Sequence, residues 1–228
     1  MPITNLECCA NSIQSALNGI KAGASRIELC QNLEQGGITP SNSEIIKLRE
    51  LSDIKIHILI LPKANQFQYT KLEFQQILID IQFCKNLKCD GVVIGALNPN
   101  LSVNKEQTKL MVLAAKPMKV TFHRAFDCVL NMPQALEDII SCKCDYILTS
   151  GQKENVIDGI ENLQQIVKLA KNRINIIAGG GVNHNNIESL YKIGIREFHL
   201  SGKELGQNGQ LETKYENVKM AVQKIKSL

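Results

Sequence analysis

Eight short runs rich in β-branched and other apolar residues recur along the 228-residue chain, alternating with longer stretches that carry apolar residues at helical spacing. The runs are ITNLECC (3–9), SRIELC (25–30), IKIHILIL (54–61), DGVVIGA (90–96), KVTFHR (119–124), DYILTS (145–150), INIIAGG (174–180) and REFHLS (196–201). Helical spacing is clear in Ile13, Ala16, Leu17 and Ile20, in Ile157, Ile160, Leu163, Val167 and Ala170, and in Tyr215, Val218, Val222 and Ile225. Ser41 with Glu44 forms a capping box just after Pro40, and Asn131 before Pro133 heads another helix. A strand–helix unit repeated eight times in a chain of this length predicts an α/β fold, the TIM (β/α)8 barrel, as a single domain over residues 1–228. An open doubly wound sheet would carry a glycine fingerprint after its first strand, and none is there.

Barrel enzymes and binders of this type place functional groups where strands end. Side chains alternate across a strand, so parity assigns faces. Asn5, Glu7 and Cys9 share one parity in the first run, and Arg26, Glu28 and Cys30 share it in the second. Since Leu6, Cys8, Ile27 and Leu29 suit the helix-facing side, the polar sets face the barrel axis. The same reasoning turns Lys55, His57 and Leu59, Thr121 and His123, and Glu197, His199 and Ser201 inward. Branched apolar residues normally fill that space. Charges there need partners, and Arg26 is expected to pair with Glu7 or Glu28.

Lysine and arginine exceed aspartate and glutamate by 26 − 22 = 4, but they are scattered and form no nucleic-acid or membrane-binding block. No stretch approaches the roughly 20 apolar residues of a membrane span, and MPITNLECCANS lacks the form of a leader, which points to the cytoplasm. Eight cysteines within strand and helix patterns read as reduced thiols. A homo-oligomer is compatible with all of this.

The motifs LECC, AGASRIELCQNLEQGGITPS, GVVIGALN, VTFHRAFD, LTSGQ, AGGGVN and EFHLSG, in this order and spacing, resemble the CutC copper homeostasis family over nearly the whole chain. The resemblance implies a TIM barrel, a role in cytosolic copper handling, and copper(I) held by two cysteines, which correspond here to Cys9 and Cys30. Parity had already placed both inside on adjacent strands about 5 Å apart, a gap that one linearly coordinated ion would bridge. This chain departs from the family's IRPR after the third strand: Leu61 and Lys63 stand at the arginine positions, and Ala64 and Asn65 replace glycines.

A competing expectation is an enzyme, a lyase, isomerase or hydrolase, acting on a small phosphorylated or carboxylated substrate. Gly180 and Gly181 end the seventh run, and Ser201 and Gly202 end the eighth, where backbone N–H groups and the helix after Asn183 would cradle an anion. Glu7, Glu28, His123 and Asp127 would then serve as acid/base groups, with Arg124 clamping a carboxylate or phosphate. No nucleophile elbow, HxxxH or CxxC pattern supports a serine triad or a zinc site.

Overall fold

A computed structural model of the chain describes residues 4–206 and 211–228. Eight parallel strands close into a barrel in chain order: β1 (Asn5–Ala10), β2 (Arg26–Leu29), β3 (Lys55–Leu59), β4 (Gly91–Ile94), β5 (Lys119–Phe122), β6 (Tyr146–Thr149), β7 (Asn175–Gly179) and β8 (Glu197–Leu200). Closure pairs β1 with both β2 and β8. The helices are α1 (Ile13–Ala22), α2 (Asn42–Leu51), α3 (Lys71–Asn86), α4 (Lys105–Ala115), α5 (Met132–Ser141), α6 (Ile160–Ala170), α7 (Ile187–Lys192) and α8 (Tyr215–Lys226). This is the expected TIM barrel.

Parity holds in the packing. Leu6, Cys8, Ile27, Leu29, Ile56, Ile58 and Ile60 join the large core beneath the helices, whereas Cys9, Cys30, Leu59, Leu61 and Val93 form a separate apolar cluster. Gly19 lets α1 sit directly on β1, because a β-carbon there would lie 2.7 Å from Cys8 Sγ. Ser41 and Glu44 form the expected capping box of α2, and Asn131 caps α5 through Gln134 N–H.

The differences lie at the edges. Most strands are shorter than the apolar runs, and Ile3, in the first run, lies outside the described residues. Ile157 precedes α6 and is exposed. An antiparallel hairpin, β9 (Lys203–Leu205) and β10 (Leu211–Thr213), intervenes between β8 and α8. It is held to α1 by Asn18 Nδ2 donating to the Thr213 carbonyl at 2.8 Å and by Thr213 N–H donating to Ser15 Oγ at 3.1 Å. Among the described residues no helix is long and apolar enough to cross a membrane.

Candidate functional site

Inside the barrel the charges occupy a layer of their own. Glu7 stands in register with Arg26 on β2 and with His199 on β8, so barrel closure brings both to it. Arg26 Nε donates to Glu7 Oε2 at 2.5 Å and Nη2 to Glu197 Oε2 at 3.3 Å. His199 Nδ1 is 2.7 Å from Glu7 Oε1, and Asn5 Nδ2 donates to Glu197 Oε1 at 2.6 Å. The Arg26 guanidinium also lies over the Tyr146 ring, 5.1 Å from its centroid. Arg26 therefore pairs with Glu7, as expected, but its second partner is Glu197 and not Glu28. Burial opposes ionisation of Glu7, yet Arg26, aided by His199 and His57, outweighs it and holds the carboxyl well below the usual range.

Above this layer opens a cavity of about 580 Å³ at the C-terminal ends of the strands. Cys9, Glu28, Cys30 and His199 line it. Cys9 Sγ lies 3.8 Å from Cys30 Sγ and 3.8 Å from Glu28 Oε1. Ligand atoms of Cys9, Glu28 and His199 all fall within 4.8 Å of one another, a spacing that suits a metal ion. The Cys9 thiol is pushed well above its ordinary pKa by its hydrogen bond with Cys30, by burial and by the Glu28 charge. Burial raises Glu28 to about 7, against the pull of His199. Burial alone would lower His199, but Glu28 and the hydrogen bonds to Cys9 and Glu7 carry it well above 6.5. All eight cysteines are free; Cys128 is exposed and the others are buried.

One wall of the cavity comes from β5 and the loop after β6. His123 accepts the Ala125 N–H on Nδ1 at 3.2 Å, while its Nε2 is buried without a partner. Burial holds its pKa down to about 4. Arg124 Nε donates to Asp127 Oδ2 and Nη2 to Ser150 Oγ, each at 2.8 Å. Asp127 also accepts the N–H groups of Ser150 and Gln152 and the hydroxyls of Thr149 and Ser150. Its carboxylate is thus occupied in fixing the turn after β6, which leaves it poorly placed as the acid/base group expected of it.

The other expected residues divide. Glu28, Gly180, Gly181 and Ser201 line the cavity with the two cysteines, but Glu7 lies below it, fully buried in the charge layer. Gly202 turns away toward α8, where a β-carbon would meet Val218 and Asn217. The helix expected after Asn183 starts at Ile187 and spans six residues. Leu61 joins the apolar wall, and Lys63 leaves the mouth to pair with Glu73 on α3 at 2.6 Å. Phe67, Leu33, Glu154 and Lys203 line the mouth from loops, where strand parity gives no guide. Sequence parity turns His199 inward without giving it a ligand role; its register opposite Glu7 across the β1–β8 closure brings it to the site.

Comparison with known proteins agrees with this architecture. The CutC family model matches residues 4–204. A family protein CutC from Parabacteroides distasonis is 42% identical over 217 residues, covering 94% of this chain and 89% of its own. The crystal structure of a candidate copper homeostasis protein CutC from Streptococcus agalactiae superposes with a TM-score of 0.83 at 28% identity, over 87% of this chain and 99% of that one. Phosphoribosyl anthranilate isomerase from Thermotoga maritima shares the fold, with a TM-score of 0.64 at 13% identity over 99% of this chain and all of its own. With a family model spanning most of the sequence and relatives of this similarity, the chain belongs to the CutC family.

Proposed function

We propose that this protein handles copper in a reducing compartment, the cytoplasm, by binding one copper(I) ion through Cys9 and Cys30 at the floor of the barrel mouth. The observation that carries this reading is the 3.8 Å separation of two thiols from adjacent strands in a cavity open to solvent. Thiolate is the ligand type that selects copper(I), and eight free cysteines suit the reducing conditions that keep copper in the +1 state.

The spacing bears on how the ion is held. Taking the metal–sulfur length of a zinc–thiolate bond, roughly 2.3 Å, a linear S–metal–S unit spans about 4.6 Å. A gap of 3.8 Å favours a bent unit over the linear bridge expected from sequence, and a bent unit leaves room for a third donor. His199 is the best placed. Its Nδ1 faces Glu7, leaving Nε2 for Cys9 or an ion, the arrangement by which a carboxylate orients a metal-binding imidazole. Ion binding displaces the thiol proton of Cys9, with the Glu28 carboxyl beside it.

A competition titration of reduced protein against a copper(I) chelator tests the reading. One equivalent should bind to the wild type, and Cys9→Ser or Cys30→Ser should weaken binding strongly while leaving the fold intact. Unchanged affinity in both variants would exclude the pair.

A further inference from the structure

The mouth above the thiols contains a second set of groups that copper does not use, and apart from Glu28 Oε2 at the floor its unsatisfied members are donors. His123, one of the residues lining the cavity, accepts a backbone N–H on Nδ1, so in the neutral ring the proton sits on Nε2, which is buried without a partner among the described residues. A buried donor without a partner is rare enough to ask for an explanation. Across the cavity, no described residue accepts the N–H of Gly180, Gly181 or Val182. Gly180 and Gly181 hold φ of 109° and 75°, conformations that glycine adopts without strain. A β-carbon on Gly180 would stand 3.4 Å from the Arg124 guanidinium, so glycine also keeps the approach to that cation open. Arg124 is aimed by Asp127 and Ser150, while its Nη1 donates to no described residue. Leu59, Leu61, Phe67, Val93 and Leu148 supply an apolar wall, and Asn65, Glu154, Ser201 and Lys203 add polar groups around the mouth.

We propose that this mouth binds a small organic oxyanion, a carboxylate or phosphate ester with an apolar body. Its charged group lies between Arg124 and the Gly180–Val182 amides, and an oxygen accepts from His123 Nε2. Asp127 offsets much of the Arg124 charge, so recognition rests on directed donors more than on net attraction. The cavity, at about 580 Å³, has the size typical of small-molecule sites. The site keeps Gly180, Gly181 and Arg124 of the anion site expected from sequence, drops Gly202 and the helix end, and gives His123 the part of a hydrogen-bond donor in place of an acid/base group.

The test is a 1H–15N NMR titration of copper-free reduced protein with benzoate, phenyl phosphate and inorganic phosphate. Benzoate or phenyl phosphate should shift the Gly180, Gly181 and Val182 amides saturably, and which of them binds tighter distinguishes carboxylate from phosphate ester. His123→Phe and Arg124→Gln should each weaken that ligand about tenfold or more, the cost of one hydrogen bond to a charged group. Cys9→Ser should bind it as the wild type does, so loss of the copper reading leaves this one standing. Absence of saturable shifts with both organic probes, binding of inorganic phosphate alone, or equal affinity in both folded variants would overturn the proposal. If either variant fails to fold, the wild-type amide shifts still decide.

Discussion

Glu7 Oε1 and His199 Nδ1 lie 2.7 Å apart where β8 closes the barrel against β1, and this contact joins the buried charge layer to the floor of the cavity. Glu7 is fully buried and Arg26 nearly so, and each is the other's main counter-charge.

Breaking that pair should therefore be expensive. Glu7→Gln leaves Arg26 buried with only Glu197, and we expect a loss of about 3–5 kcal/mol, the usual cost of stranding one member of a buried ion pair. Urea denaturation of the copper-free protein measures it. A change under about 1 kcal/mol would mean that the layer is not a stabilising network.

His123 should make the fold sensitive to acid. Its pKa falls from 6.5 to about 4 because burial disfavours the charged ring, with no charged neighbour contributing. The unfolded chain thus binds a proton between those values while the native state does not, so His123 costs stability as pH falls from 6.5 toward 4. Burial shifts His57 the same way, whereas Glu28, raised to about 7, works in the opposite direction, so the wild-type slope alone is ambiguous. The comparison with His123→Phe isolates the effect: the variant should lose less stability across that window, by up to about 1.4 kcal/mol per pH unit. Parallel curves for the two proteins would contradict the assignment.

Asp127 should behave as a structural anchor. Its carboxylate receives two backbone N–H groups, two hydroxyls and Arg124, and removing it strands several of them. Asp127→Ala should cost about 2–4 kcal/mol in denaturant melts, with Asp127→Asn intermediate because it keeps one acceptor. A stable Asp127→Ala protein would return Asp127 to the list of free functional groups.

The barrel was legible because each strand–helix unit announces itself twice, by period 2 and by period 3.6, and parity then turns Cys9, Glu28, Cys30 and His199 toward the axis. What parity cannot supply is height within the barrel and the identity of partners across strands. Glu7 and Glu28 differ by one layer, yet one is locked under Arg26 and the other faces the cavity. Loops carry no periodic signal, so the Asp127 anchor, the hairpin after β8 and the direction of Gly202 depend on hydrogen bonds between residues far apart in sequence. Lys63 likewise leaves the mouth because Glu73, capping α3, is a nearer counter-charge.

The central claim is that sulfur from both Cys9 and Cys30 holds copper(I), and X-ray absorption at the copper edge of the loaded, reduced protein tests it most directly. The account predicts two sulfur neighbours and one nitrogen or oxygen neighbour, falling to one sulfur in Cys30→Ser and losing the imidazole signal in His199→Ala. A copper shell containing only nitrogen and oxygen, or a two-sulfur shell that survives Cys30→Ser, would contradict it.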